Sequence, residues 1–229
     1  MGNQILLIGC YNGFQQELLA HCGTSLFGVQ VVPELRDQNL LTYVQQADLV
    51  LLHQAAVPRD LPQIITHLRG HTHRPLLIVL DPFAEAAVTT ALEAGADDAL
   101  PAQVSARELY ARIRAHLRRD QEYAAARVPA AYELGDLRLD VGRHEVQVRG
   151  RSVELTPREF ELLAHLAQNA GRPVRRDELL EEVWGYNSEM TTRTLDVHVG
   201  RLRQKIEHNA REPRMIVTVP GVGYKLAEC

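Results

Sequence analysis

Four cations, Arg193, Arg201, Arg203 and Lys205, stand against two acids, Asp196 and Glu207, in the stretch TRTLDVHVGRLRQKIE from Thr192 to Glu207. Cations at this density suit a polyanion, provided that their spacing lets them act together. Leu195, Val199, Leu202 and Ile206 recur at intervals of four, three and four residues, which predicts a helix with one apolar stripe turned inward. The outward face then carries Arg193, Val197, Gly200, Arg201 and Gln204, with His198, Arg203 and Lys205 on its flanks. Such a helix fits a major groove, but a basic face is as readily a solvated one. The next stretch decides between them. RMIVTVPGVGYKLA, Arg214 to Ala227, has a β-branched run, a turn with Pro220, Gly221 and Gly223, and a second apolar run, the pattern of a β-hairpin. Helix followed by hairpin is the pattern of a winged helix, which predicts double-stranded DNA as the partner.

Other chemistry-bearing residues are sparser. Cys10, Cys22 and Cys229 are odd in number and have no metal-ligand spacing, so neither a disulfide framework nor a zinc site is indicated. A depressed pKa would let Cys10 sense oxidation, yet no basic residue adjoins it in sequence, and a small buried thiol is the commoner role. His67, His71 and His73 could hold a metal, against the more ordinary reading of a polar surface loop.

These groups need elements to position them. At 229 residues the chain suits two cores. No apolar run reaches membrane-spanning length and the first twenty residues are too polar for a cleaved signal, which predicts a soluble, cytoplasmic protein with no membrane partner. Net charge is −4, so positive potential for DNA must be concentrated locally. Residues 5–8, 29–32, 49–52, 76–80 and 98–100 are apolar runs that alternate with helical patterns near 12–21, 38–46, 60–69, 84–94 and 105–118. This is the pattern of a doubly wound α/β domain with a five-stranded parallel sheet covered on both faces, whose ligands sit at the carboxyl ends of the strands. Asp120 to Ala131, with Pro129, reads as a linker, giving domains 1–119 and 132–229. The second opens with short runs at 133–134, 137–140, 145–149 and 152–155, a small antiparallel sheet. Thr156-Pro-Arg-Glu159 follows as a helix start: Thr156 caps, Pro157 takes the first position, Glu159 completes a capping box and Leu155 staples onto Phe160. A second helix covers about Arg176 to Trp184.

Glu93-Ala-Gly-Ala-Asp-Asp98 followed by Arg107-Glu-Leu-Tyr-Ala-Arg-Ile-Arg114 and Arg118-Arg119 resembles the end of a receiver domain from a bacterial two-component response regulator. Leu155-Thr-Pro-Arg-Glu-Phe-Glu-Leu-Leu163, Val183-Trp-Gly185, Arg193-Thr-Leu-Asp-Val-His198 and Gly221-Val-Gly-Tyr224 resemble the OmpR/PhoB subfamily. The resemblance implies a DNA-binding transcription regulator, not an enzyme. By resemblance Arg193, His198, Arg203 and Trp184 touch phosphates while Val197 and Arg201 reach base edges, with Thr194, Gly200 and Gln204 on the same surface. Gly200 costs about 1 kcal/mol of helix propensity relative to Ala and lets the backbone approach DNA closely. Loop 185–191 is where the family meets RNA polymerase.

The first half departs from the family wherever the family does chemistry. A receiver takes a phosphoryl group on an aspartate, beside Mg²⁺ held by acidic residues, a hydroxyl and a lysine. Here the matching positions are Gly9-Cys10-Tyr11, His53 in place of the acceptor, Asp81 in place of the hydroxyl and Ala102 in place of the lysine. Mg²⁺ requires hard oxygen ligands in octahedral geometry, so this atypical receiver is expected to hold no metal or cofactor and to act without phosphorylation. The family dimerises through the face of 84–94, 98–100 and 105–118, and Asp98 with Arg112 and Glu93 with Arg114 match two of its charge pairs. A homodimer formed without phosphorylation is therefore expected. The alternative is a regulator whose vestigial pocket, at Cys10, takes a small-molecule or redox signal. In the hairpin, Val217 and Pro220 replace the family's usual arginines, which removes the usual minor-groove insertion.

Overall fold

The computed structural model describes residues 3–9, 27–54, 60–125, 131–185 and 193–227. Cys10, Tyr11 and the helix expected near 12–21 lie outside them, as does most of the loop expected to meet polymerase. The chain divides into two compact units, Met1–Arg118 and Arg119–Cys229.

The first unit is the expected five-stranded sheet. Strands β1 (Asn3–Ile8), β2 (Phe27–Val32), β3 (Leu49–Gln54), β4 (Leu76–Leu80) and β5 (Asp98–Pro101) run parallel in the order β2-β1-β3-β4-β5. Helices α1 (Leu40–Gln46), α2 (Leu61–Arg69), α3 (Glu85–Ala94) and α4 (Ala106–Ala125) follow strands two to five. Every residue of β4 is buried, as an interior strand of a sheet covered on both faces requires. Leu109, Ile113 and Leu117 of α4 join Leu7, Leu51, Leu77, Val79 and Leu100 in one core. The helix continues to Ala125 and so takes in the first part of the stretch expected as linker; an Ala- and Glu-containing segment with no Gly or Pro before Pro129 has nothing to end the helix at 118.

A buried carboxylate closes this unit. Asp97, with no solvent exposure, accepts from the Leu76 backbone N–H at 2.8 Å and from Arg69. Arg69, the last residue of α2, also donates to the Gly95 carbonyl at 3.0 Å and the Arg74 carbonyl at 2.8 Å. One guanidinium thus joins the end of α2, the entry to β4 and the turn before β5.

The second unit begins with an antiparallel sheet of β6 (Ala131–Leu134), β7 (Leu137–Asp140), β8 (Glu145–Val148) and β9 (Arg151–Ser152). Helix α5 (Pro157–Gln168) starts as its sequence predicts, with Thr156 and Glu159 forming a capping box and Pro157 in the first turn. After β10 (Val174–Arg175), α6 spans Arg176–Trp184, its second half from Leu180 being π-helical. Helix α7 (Thr194–Ile206) leads to the hairpin of β11 (Ile216–Val219) and β12 (Gly223–Leu226), on which β10 pairs as a third strand. Gly223 is obligatory there, because a Cβ would lie 2.2 Å from the Val174 carbonyl oxygen. Leu195, Val199, Leu202 and Ile206, the predicted stripe, are at most 1% exposed and share one core with Phe160, Leu163, Trp184 and Ile216. Among the described residues no helix is long and apolar enough to cross a membrane.

Asp97→Ala leaves the Arg69 guanidinium, 13% exposed, facing a cavity. Breaking a buried pair of this kind is expected to destabilise the first unit by about 3 kcal/mol in urea unfolding, whereas a loss below about 1 kcal/mol would show that the pair does not hold the unit together.

Candidate nucleic-acid interface

Helix α7 is positioned by where its polar side chains are held. Glu159 of α5 has no solvent exposure, and its Oε2 accepts from the Thr156 N–H at 2.8 Å as the capping box closes. The same carboxylate takes two cations from α7: Arg201 Nε lies 3.0 Å from Oε1 and Lys205 Nζ 2.6 Å from Oε2. Lys205 also donates to the Glu154 carbonyl at 3.0 Å. A carboxylate without water is costly unless paired and hydrogen-bonded, and this one has both. Beside it Arg158 and Glu161, equally buried, form a second pair, and Arg158 donates to the Val183 carbonyl at 2.5 Å, fastening α6 to α5.

The other side of α7 is tied to the hairpin. Arg203 donates to the Ile216 carbonyl from Nε at 2.9 Å and Nη2 at 2.8 Å, and to Thr218 Oγ1 at 2.8 Å, with its guanidinium 5.6 Å from the centre of the Tyr224 ring. Asp196 accepts from both terminal nitrogens of Arg176, at 2.6 and 2.8 Å, and from the Tyr224 hydroxyl at 2.5 Å. Partial burial works against the Asp196 carboxylate, but the hydrogen bonds from Arg176 and Tyr224 and the charges of Arg176 and Arg193 outweigh it and hold its pKa below the ordinary value. The hydrogen bond to Asp196 raises the pKa of Arg176 in return, and burial raises that of Tyr224.

Between these tied side chains, Arg193, Val197, Gly200 and Gln204 line the middle of the outward face at spacings of four, three and four, with the exposed Asp196 and Lys205 on its flanks. Arg193 and Gln204 are exposed and Val197 and Gly200 half-buried. Arg172 before β10, Arg175 at its end and Arg176 at the start of α6 are exposed, each beside a carboxylate: Glu178, Asp177 and Asp196 respectively. Sequence reasoning did not single out these three, although the segment RPVRR is dense in arginine.

Several expected contact residues are elsewhere. Trp184 and His198 have no exposure and meet edge to face with ring centres 5.1 Å apart, and His198 Nδ1 lies 2.8 Å from the Thr194 carbonyl oxygen. Thr194 is 1% exposed. These three therefore belong to the core, because the inward stripe of α7 is wider than four aliphatic residues. Arg201, expected at base edges, turns to Glu159 and is only 12% exposed. Arg203, expected at phosphates, is held by the hairpin.

At the carboxyl ends of the first unit's strands, β3 and β4 pair Gln54 with Leu80, and β4 and β5 pair Leu80 with Pro101, so His53, Asp81 and Ala102 come to one edge of the sheet. His53 Nδ1 lies 3.3 Å from the Gly9 carbonyl oxygen. Gly9 has φ 71°, and a Cβ there would sit 2.7 Å from the His53 carbonyl oxygen. Of the residues expected to pair between subunits, Asp98 and Arg112 instead meet inside one chain: Asp98 has no exposure, Arg112 Nη1 is 3.3 Å from it, and Arg112 also holds Glu108 at 2.7 Å. His116 Nε2, buried too, is 3.9 Å from the same carboxylate. Glu93 and Arg114 are exposed.

Residues 150–226 match the family model described as "Transcriptional regulatory protein, C terminal". The sensory transduction protein RegX3 of Mycobacterium leprae (strain TN) is 42% identical over 180 residues, covering 79% of this chain and 91% of that one. The DNA-binding response regulator MtrA of Mycolicibacterium smegmatis is 38% identical over 178 residues, covering 78% and 76%. Among solved structures, a cysteine-to-serine RitR mutant is similar over 100% of both chains, with a TM-score of 0.75 and 28% identity. A cysteine-to-aspartate RitR mutant gives 0.72 and 27% over the same coverage.

Removing the shared carboxylate by Glu159→Ala should destabilise the second unit by about 2–4 kcal/mol, since it opens the capping box and leaves Arg201 and Lys205 without their acid. A change within about 0.5 kcal/mol in denaturant unfolding would contradict that role. The Asp196 cluster gives a pH signature. With its pKa held below the ordinary 3.8, Asp196 stabilises fully above that value and loses its contribution as the pH falls through the lowered one. The melting-temperature gap between the parent and Asp196→Asn should hold from pH 7 to about 5 and shrink below about 4; a gap unchanged at pH 2 would show that ionised Asp196 contributes nothing.

Proposed function

Because the chain belongs to the OmpR/PhoB family of DNA-binding response regulators, we propose that it is a sequence-specific transcription regulator whose first unit dimerises without receiving a phosphoryl group. The observation that carries this reading is the edge of the sheet at which β3 ends: it presents the His53 imidazole beside Gly9, with Asp81 and Ala102 next to it. Phosphoryl transfer there needs Mg²⁺ on hard oxygen ligands and a cation on the transferred group. The sequence offers Gly9-Cys10-Tyr11 after β1 and alanine where the lysine belongs. Asp81 alone supplies neither a metal cage nor a positive charge.

Dimerisation is what such a unit can still contribute. Two tethered winged helices bind adjacent half-sites with a gain of about 10²-fold or more over one. On the face of α3, β5 and α4, Asp98, Arg112 and Glu108 form an internal brace, so Glu93 and Arg114 are the residues left to pair across a two-fold axis.

Acetyl phosphate or beryllofluoride with Mg²⁺ should alter neither oligomeric state nor DNA affinity; a phosphoryl mass increase accompanied by tighter binding would overturn the proposal. Arg114→Glu should weaken self-association by about tenfold, and adding Glu93→Arg should restore much of it. An Arg114→Glu protein that remains as strongly dimeric as the parent would place the interface elsewhere.

A further inference from the structure

We propose that the cleft between α1 and α2 of the first unit binds a small apolar amine, its hydrocarbon body on leucine and isoleucine side chains and its ammonium group against Asp60. This site goes beyond DNA binding and dimerisation and depends on neither. It shares no residue with the edge at His53, Asp81 and Ala102.

The cleft has a volume of about 420 Å³ and is lined by side chains from residues 35–41 and 60–68. That is the size of a small-molecule site. It lies where α1 begins late: β2 ends at Val32, and α1 opens only at Leu40 and is seven residues long. Leu40 and Leu68 of the lining are buried, whereas Leu35, Leu41 and Ile64 are only half-buried. Aliphatic surface is therefore left to water inside a concave wall, and covering it with an apolar body is favourable.

The rim selects the head group. Its ionisable side chains are Arg36, Asp37, Asp60 and His67, all exposed. Counting histidine as neutral, two carboxylates stand against one guanidinium. Asp37 is already engaged, for its Oδ1 accepts from the Asn39 N–H at 2.7 Å. Asp60 holds the N-cap position of α2, yet its side chain makes no cap hydrogen bond, although an aspartate there ordinarily accepts from the first turn of the helix. Its carboxylate thus borders an aliphatic cleft and is placed for a donor from outside the chain. An ammonium group supplies both the donor and the opposite charge. A carboxylate head would meet the excess of negative charge, and an uncharged head would gain no ion pair.

Three probes with one body and different heads separate these cases: phenylbutylamine, phenylbutanol and phenylbutyrate, each titrated into the full-length protein and followed by protein-detected NMR. The amine should bind with a dissociation constant of about 1 mM or tighter. It should bind about fivefold more tightly than the alcohol, and the carboxylate more weakly than either. Asp60→Asn keeps the shape of the side chain and an equally good helix cap. It should bring the amine down to the affinity of the alcohol and leave the alcohol unchanged. Glu145→Gln, at an exposed position of the second unit, should alter none of the three. A carboxylate that binds as well as the amine, an amine indifferent to Asp60→Asn, or an equal loss in Glu145→Gln would each overturn the proposal. So would the absence of amine binding up to about 10 mM. DNA binding and dimerisation stand or fall on their own tests.

Discussion

The buried carboxylate of Glu159 is the contact on which the second unit's geometry depends. Its oxygens meet the Thr156 N–H, Arg201 and Lys205, so one side chain starts α5 and fixes the rotation of α7 about its own axis. With two cations on one side and Leu195, Val199, Leu202 and Ile206 in the core, only one strip of α7 can face outward. Arg203 and Asp196 then lock the hairpin to the same helix. The middle of the exposed strip is consequently poorer in charge than the sequence of α7 suggests: it holds a valine, a glycine, an amide and one arginine, with the exposed but ion-paired Asp196 and Lys205 beside it.

The first unit treats its charges in a similar way. Asp97 closes onto Arg69 at one end of β5, and Asp98 onto Arg112 beside it. Buried pairs of this type cost desolvation and are repaid chiefly in defined geometry. They keep the α3, β5 and α4 face in shape, while the carboxyl ends of β3 and β4 bring His53 and Asp81 to the other edge of the sheet. On this account the unit acts as a standing dimerisation module, and control passes to whatever sets its concentration or alters its interface.

The fold was largely legible because its signals are local. Continuous apolar runs announced β1 to β5, the Thr156–Glu159 box announced α5, and a four-three-four stripe announced α7; the runs of β1, β3, β4 and β5 and the stripe of α7 are buried as expected, whereas β2 buries only Val32. What could not be read depends on partners distant in sequence. Arg201 sits at the border of the outward face on a helical wheel, and Glu159, on another helix, draws it in. His198 passes for a polar flank until Trp184 is placed against it. Asp98 and Arg112 match a pattern of charges between subunits, yet β5 and α4 bring them together within one subunit. Helix α4 outran its predicted end because the segment to Ala125 carries neither glycine nor proline.

The central claim is that this regulator engages DNA as a dimer with no phosphoryl group. The most direct measurement compares the affinity of the untreated full-length protein for a duplex carrying one selected half-site and a duplex carrying two, in the absence of any phosphodonor. The account predicts binding to the double site about 10²-fold tighter than to the single one. Equal affinity for the two duplexes, with a gap that opens only when a phosphodonor and Mg²⁺ are added, would contradict it.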